Sequence, residues 1–386
     1  MIRILFLHTT SEIGGSDVSL ARLVEGLDPA RYAIVVALPS DGPLVVKLRS
    51  AGARVEIMPA LMKLTSRRGT GFLWRFALNY PRAILELVRL IRREQINIVH
   101  TNTIHNLYGV TAARVAGVPH IWHFREIVWQ SALLRRVELT MARWWSTRII
   151  VTSRAVAGMY GAESSWPVQL VLVPNGVEAD RFSPGDGERV RRDLDMAPGQ
   201  PLVGIVCRLD AWKGVDDFLS AAALVAAADH EAAFVVVGGP IIGQEAYETQ
   251  LRTKANELGL GRRVRFTGWT YGPAAMPDVH RALDILVLAS REAEPFGLVL
   301  LEATATGKPV VATAHGGPLD IVEDGRTGDL VPPGDAKAMA AAIVALLRDP
   351  ARRARMGALA RERVLTHYTA AQYVAGIEAV YRELVG

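Results

Sequence analysis

Ile2-Arg3-Ile4-Leu5-Phe6-Leu7-His8 is followed by the pair Gly14-Gly15 and then by Val18-Ser19-Leu20-Ala21-Arg22-Leu23-Val24. The first stretch is rich in β formers and predicts a buried strand. The glycine pair predicts a turn, and the third stretch carries apolar residues at helical spacing. Further strands are predicted at Ala33–Leu38, Arg54–Met58, Ile96–Thr101, His120–His123, Arg148–Thr152 and Gln169–Val173, with helical segments between them. This alternation predicts a parallel sheet with helices on both faces. Pro174-Asn175-Gly176 is a turn signal, and residues 177–200, rich in Pro, Gly and charge, read as a connector. The pattern then restarts with strands at Leu202–Cys207, Phe234–Val237, Val264–Thr267, Ile285–Ala289 and Pro309–Ala312, and a helix from about Val215 to Ala228. The fold class is therefore α/β, with two doubly wound units in tandem and a last helix at about Ala370–Val385.

The length of 386 residues suits two domains. Half the residues are apolar and 22% are charged, which excludes disordered, collagen-like and coiled-coil classes. The single cysteine, Cys207, excludes a disulfide scaffold and a Cys-based zinc site, and fits a reducing cytoplasm. Met1 to Leu7 lacks the shape of a signal peptide, and no apolar run reaches the roughly 18–20 residues of a membrane span. A soluble or peripheral protein is expected. Residues 1–175 hold 21 Lys and Arg against 11 Asp and Glu, whereas the remainder holds 23 against 28. A basic half joined to a mildly acidic half predicts two domains with different partners.

Open parallel sheets bind ligands beyond the carboxyl ends of their strands, so the residues after each strand carry the argument. Gly14-Gly15 would let backbone N–H groups approach an anion at a helix start, or would simply make a βα turn. It is not the G-x-G-x-x-G fingerprint, which disfavours a dinucleotide site. After Leu202–Cys207 come Arg208 and Lys213-Gly214. They are placed either to grip a diphosphate, by an Arg fork and a Lys point charge, or to be solvated loop cations. Glu294-Pro295-Phe296-Gly297-Leu298-Val299-Leu300-Leu301-Glu302 sets two acids eight apart, about two helical turns. Phe296 and Gly297 fall near a helix start, where free N–H groups favour an anion. Glu302 would be half-buried on that helix and in need of a partner such as a sugar diol. The plainer reading is a helix-start acid plus a surface acid.

Glu294 to Glu302 resembles the E-x7-E motif of retaining nucleotide-sugar glycosyltransferases of the GT-B fold, family 4. Ala303 to Ala312, Gly316-Gly317, Val173 to Val177, Arg181 to Pro184, Arg208 with Lys213-Gly214, Asp324-Gly325 and Thr327-Gly328 match as well. These motifs follow in the expected order over about residues 170–335, and the N-terminal half matches more loosely, through Gly14-Gly15 and His123. The resemblance implies two Rossmann-like domains facing a cleft. One would be residues 1–176, with the C-terminal helix of about 370–386 packing back on it and the acceptor bound there. The other would be residues 177–369, binding the donor.

The resemblance also implies roles. Arg208 and Lys213 would hold the donor diphosphate, with backbone groups of Phe296, Gly297 and Leu298 at the helix start. Glu302 would take the ribose hydroxyls and Glu294 the donor sugar. Trp269 and Thr270, with Gly268, would flank the base. Gly14 and Gly15 would close over the phosphates, and His123 would sit near the reacting sugar carbon. His123-Phe124-Arg125-Glu126 departs from the common family pattern, in which an acid follows the His sooner. Arg125 would either read an anionic acceptor or be a structural cation paired with Glu126. Apart from the resemblance, Asn102 and His105, in the loop after Ile96–Thr101, would either line an acceptor site or, for the His, be a satisfied structural residue.

No cofactor and no metal are expected, the UDP- or GDP-sugar being a substrate. Asp193-Leu194-Asp195 lies in the connector and not after a strand, which disfavours metal binding there, and the nine His show no zinc spacing. Residues 61–93 hold eight cations, Lys63, Arg67, Arg68, Arg75, Arg82, Arg89, Arg92 and Arg93, against Glu86. Leu61, Met62, Phe72, Leu73, Trp74 and Phe76 are interleaved. That segment reads as an anionic-membrane contact or as a solvated face with an aromatic core side. No nucleic-acid motif accompanies the charge. The resemblance implies a cytoplasmic enzyme, free or peripheral on the inner face of the plasma membrane. Its acceptor would be a glycolipid, lipid-linked or polysaccharide intermediate of the cell envelope. The rival readings are a nucleotide-sugar epimerase of the same fold and an inactive binding or membrane assembly subunit.

Overall fold

The computed structural model describes the chain apart from residues 63–69, 129–130, 229–230, 242 and 386. Two compact units result: Met1–Gly176 with Ala370–Gly386, and Val177–Thr369.

The first unit is built on seven parallel strands: β1 (Ile2–Leu7), β2 (Tyr32–Leu38), β3 (Arg54–Ile57), β4 (Ile98–Thr101), β5 (His120–Phe124), β6 (Arg148–Val151) and β7 (Leu170–Leu172). Their order is β3-β2-β1-β4-β5-β6-β7, so the direction of winding reverses between β1 and β4. The inner strands are short apolar runs because helices cover the sheet on both faces, and Ile4 to Leu7 are fully buried; the edge strand β3, with Arg54 and Glu56, is not. On one face Leu20, Leu23 and Val24 of helix Gly15–Gly26 meet Tyr373, Ile377 and Tyr381 of helix Ala370–Val385. The other face is closed by Leu87, Val88 and Ile91 of helix Thr70–Arg93, with Tyr108 and Ala112.

The second unit carries β8 (Leu202–Val206), β9 (Ala233–Val237), β10 (Val264–Gly268), β11 (Ile285–Leu288), β12 (Val310–Thr313) and β13 (Asp329–Val331), again all parallel. The order is β10-β9-β8-β11-β12-β13, with the reversal between β8 and β11. Several elements escaped the sequence reading, including helices Ala336–Arg348 and Pro350–His367. Strand β13 is three residues long and begins with an acid; Asp329 is tolerated because Arg352 donates to it at 2.6 Å. Inside the presumed connector, helix Glu188–Asp193 forms because Val190 is buried against the second unit's core.

Candidate functional site

In the second unit the loops after β8 and β11, the two strands flanking the reversal, are drawn together. After β8 a 3-10 turn, Ala211–Lys213, ends on Gly214, whose φ of +67° places it in the left-handed region. A Cβ there would stand 2.0 Å from the Ala289 carbonyl, so glycine is what lets the two loops touch. The Lys213 ammonium lies 2.7 Å from Glu294 Oε2 and 3.9 Å from the centre of the Trp212 ring. Ser290 Oγ donates to the same carboxylate oxygen at 2.8 Å. Lys213 is thus no solvated loop cation. Arg208 is half exposed, its guanidinium 3.5 Å from Asp210.

Glu294 does not share a helix with Glu302. It forms an isolated bridge with Gly316, and the helix begins only at Leu298, after Gly297 in a left-handed conformation. The separation of two helical turns therefore does not apply. Glu294 instead points at Lys213 from a loop clamped by Gly317 N–H, which donates to the Glu294 carbonyl at 2.7 Å. Glu302 is half-buried on helix Leu298–Ala305, 3.4 Å from Nε2 of the buried His280. Phe296 is buried in the second unit's core, and Leu298 opens the helix. Trp269 is exposed and donates from its indole N–H to the Pro240 carbonyl at 3.3 Å; Thr270 Oγ1 donates to the Thr267 carbonyl at 2.6 Å. Both follow the last residue of β10, away from the Lys213–Glu294 pair in strand order.

Sequence reasoning missed three residues here. Ser290 and Trp212 are small parts of the Lys213 contact. Arg291 is larger: it donates to Asp217 at 2.6 Å, and its backbone N–H donates to the Trp212 carbonyl at 2.8 Å. It ties the loop after β11 to helix Val215–Ala228, and these carboxylates raise its pKa. Beside the loop, burial pushes the Cys207 thiol up to about 12, which favours the protonated thiol at neutral pH.

In the first unit, Gly14 and Gly15 sit at the start of helix Gly15–Gly26, after β1. The loop is organised by Asp17, another residue that the sequence reading passed over. Asp17 accepts from Gly14 N–H at 2.7 Å, from Thr10 Oγ1 at 2.6 Å and from His8 Nε2 at 2.5 Å. Burial pushes its carboxyl up, but the hydrogen bond and charge of His8, with Thr10 and Gly14, outweigh this and leave it below its usual range. An acid at the third helical position is half of a capping box, the sequence signal that could have found it.

The four acceptor candidates divide into two groups. Asn102 and Arg125 are buried together: Arg125 Nε donates to Asn102 Oδ1 at 2.9 Å, and Asn102 Nδ2 stands 3.2 Å from His8 Nδ1. Arg125 also donates to Asn175 Oδ1 at 2.6 Å and to the Tyr373 hydroxyl. It is not the partner of Glu126. Glu126 turns the other way, accepting from Ile104 N–H at 3.4 Å, towards His105. His105 Nδ1 is 3.0 Å from Glu138 Oε1. Glu138 is fully buried, and burial raises its pKa despite the hydrogen bond from His105. Next to Arg125, His123 is fully buried near the end of β5, and its Nε2 has no partner among the described residues.

Lys63, Arg67 and Arg68 lie outside the described residues. On helix Thr70–Arg93, Trp74 and Leu78 are 71% and 77% exposed, and Phe76 packs against the core, so the apolar residues do not all face inward. Among the described residues no helix is long and apolar enough to cross a membrane, and no three His, Cys, Asp or Glu converge as metal ligands.

Two doubly wound parallel sheets of this order define a GT-B architecture. HepE from Anabaena, solved with UDP and glucose, matches with a TM-score of 0.84 and 24% identity over the whole of both chains. Residues 186–363 match the model for glycosyl transferases group 1, and residues 13–181 match that for Glycosyltransferase Family 4. The chain is 31% identical to the lipopolysaccharide core biosynthesis mannosyltransferase LpsB of Rhizobium meliloti, over 62% of this chain and 69% of that protein. It is 37% identical to the D-inositol 3-phosphate glycosyltransferase of Nocardia farcinica, over 53% of this chain and only 45% of that relative's length. The chain belongs to the family of group 1 glycosyltransferases, with an N-terminal half of the Glycosyltransferase Family 4 type.

Proposed function

We propose that the chain is a retaining glycosyltransferase that moves a sugar from a nucleoside diphosphate to a glycan or lipid-linked acceptor of the cell envelope. The observation that carries this is the meeting of Lys213 and Glu294, a cation and an acid, at the reversal point of the second sheet. Strand order reverses where open α/β sheets bind ligands. In this reading the second unit binds the donor. Lys213, Arg208 and the helix start at Phe296, Gly297 and Leu298 take the diphosphate; Glu302 takes the ribose; Glu294 takes the sugar; the segment with Trp269 and Thr270 flanks the base. The first unit binds the acceptor and contributes Gly14, Gly15 and His123.

In the reaction, the bond between the sugar anomeric carbon and the phosphate oxygen breaks, and its electron pair stays with the phosphate. The acceptor oxygen bonds to the same face of that carbon, and its proton passes to the leaving phosphate oxygen. Charge thus builds on the phosphate and oxocarbenium character on the sugar. Fixed cations and helix-start N–H groups stabilise the former more in the transition state than in the ground state. No metal and no cofactor enter this scheme.

The names of two relatives, an inositol phosphate glycosyltransferase and a lipopolysaccharide mannosyltransferase, support a polyol or glycolipid acceptor. The UDP and glucose bound to HepE favour a UDP-sugar. Arg125 favours an anionic acceptor: it is 6% exposed and has no carboxylate partner among the described residues. The exposed Trp74 and Leu78 beside Arg75, Arg82 and Arg89 support a cytoplasmic enzyme docked on an anionic bilayer surface.

Thermal shift against UDP, GDP, ADP and their sugars tests the donor. Absence of a shift with every nucleoside diphosphate would refute the reading. Proton NMR of the product anomer separates retention from inversion. Flotation with anionic but not neutral liposomes tests the docking, and equal recovery with both refutes it.

A further inference from the structure

We propose that Tyr381 and His100 are positioning residues: with Arg125 they fix His123 as the tautomer protonated on Nε2, which donates a hydrogen bond to a sugar oxygen and cannot accept the acceptor's proton. This rests on the reading of His123 as a sugar contact.

The three side chains His123, His100 and Tyr381 are each 0% exposed and form a line across the first unit. The Tyr381 hydroxyl lies 2.7 Å from His100 Nδ1, and His100 Nε2 lies 3.2 Å from His123 Nδ1. The Arg125 guanidinium reaches the same His123 Nδ1 at 3.4 Å. A guanidinium has donors and no acceptor, so His123 Nδ1 must offer its lone pair. His100 Nε2 faces that lone pair and must carry a hydrogen. His100 Nδ1 is then the bare nitrogen, and the Tyr381 hydroxyl donates to it. This one arrangement of protons satisfies every contact, and it puts the His123 proton on Nε2.

His123 Nε2 is the atom left over. It is buried and has no hydrogen-bond partner among the described residues. An orphaned buried donor is costly, which points to an oxygen supplied by a ligand. Position agrees: His123 is the fourth of five residues of β5, at the carboxyl end of a parallel sheet. Burial, together with the charge of Arg125, holds both imidazoles well below their usual range, so both are neutral at neutral pH. A general base would need a bare nitrogen facing the acceptor hydroxyl. The only bare nitrogen of His123 already accepts from His100 and Arg125. His123 therefore orients the sugar, and the acceptor proton goes elsewhere. Tyr381 lies on helix Ala370–Val385, so the last turns of the chain reach the chemistry through His100.

The test uses the full chain with 15N-labelled histidine. Long-range proton–nitrogen correlation spectra at neutral pH read each tautomer, and the His123 signals are assigned by their loss in His123→Gln. His123 is expected with a protonated Nε2 and a bare Nδ1. Tyr381→Phe keeps the ring and removes the donor. It should give His100 a mixture of tautomers and shift the His123 pattern. It should also lower the turnover of UDP-glucose hydrolysis about tenfold with the donor KM nearly unchanged. A wild-type His123 protonated on Nδ1 would overturn the proposal, and needs no variant to detect. So would a Tyr381→Phe protein with unchanged spectra and turnover. A His123→Ala protein hydrolysing at the wild-type rate would instead remove His123 from the sugar site, whatever its tautomer.

Discussion

Lys213 Nζ lies 2.7 Å from Glu294 Oε2, so one ion pair ties the loops that follow neighbouring strands β8 and β11. Both side chains are largely buried, and Ser290 shares the carboxylate oxygen. Removing one partner therefore leaves the other charge buried and short of a bond, which costs more than an exposed pair would.

Lys213→Ala is expected to weaken UDP binding about tenfold to a hundredfold, the range of one charge-assisted hydrogen bond. It should also destabilise the second unit through the stranded Glu294. Adding Glu294→Gln should recover part of the stability and none of the affinity. Calorimetric titration and denaturant unfolding of the two single variants and the double variant check this. Equal UDP affinity in Lys213→Ala and wild type would detach the lysine from the diphosphate.

The same loop gives a backbone prediction. Gly316 has φ +84°, and a Cβ on it would stand 2.3 Å from the Glu294 carbonyl oxygen. Gly316→Ala combines strain with a clash and should destabilise by about 2 kcal/mol or more. Because the clash falls on Glu294 itself, UDP affinity should drop although Gly316 has no side chain to bind anything. A variant with lowered melting temperature and wild-type affinity would show that the bridge is structural only.

The strand and helix pattern was legible because most strands are apolar runs in two-faced parallel sheets, where burial leaves a clear trace. Strand β13 left none, since it is short and starts at Asp329, which Arg352 compensates from a distant helix. At the site, Arg208, Lys213, Glu294 and Glu302 stood out as charges at strand ends. Asp17, Arg291 and Tyr381 did not. Asp17 was a local capping-box signal passed over, whereas the other two matter through partners remote in sequence: Arg291 meets Asp217, and Tyr381 meets His100. The pairing of Arg125 with Asn102 and Asn175, and not with adjacent Glu126, is of the same kind. Local pattern reports burial well and long-range hydrogen bonding poorly.

Glu138 offers a test of buried charge. Its side chain is fully buried, one oxygen meets His105 at 3.0 Å, and the other has no partner among the described residues. Burial raises its pKa. For a carboxyl raised on folding, the stabilising protonated form is fully present below the unfolded value and is lost as pH rises through the folded one. Glu138→Gln copies the protonated form and can still accept from His105. It should stabilise by on the order of 1 kcal/mol at neutral pH, with the gain fading as pH falls through the raised folded value and gone below about pH 4. Denaturant midpoints at the two pH values check it. A loss of stability at neutral pH would mean that the ion pair with His105 outweighs desolvation.

The buried imidazoles make the opposite prediction for acid. His100, His120 and His123 are all held below their usual range, primarily by burial, and His120 falls to about 3. Below about pH 6.5 the unfolded chain takes up protons at these positions that the native chain does not. Stability is therefore intact above that value and is lost as pH falls towards the folded pKa values. Each histidine contributes a slope of up to about 1.4 kcal/mol per pH unit. His120 lies outside the proposed chemistry, held by Thr101 Oγ1 at 2.8 Å and Ser146 Oγ at 3.0 Å. His120→Gln should lower neutral-pH stability, because it breaks these bonds, yet flatten the decline between about pH 6.5 and 4.5 by one proton's worth. Because two units need not unfold together, the readout is hydrogen exchange of β5 amides and not a global midpoint. A decline as steep as that of the wild type would mean that His120 titrates equally in both states and that its burial carries no linkage.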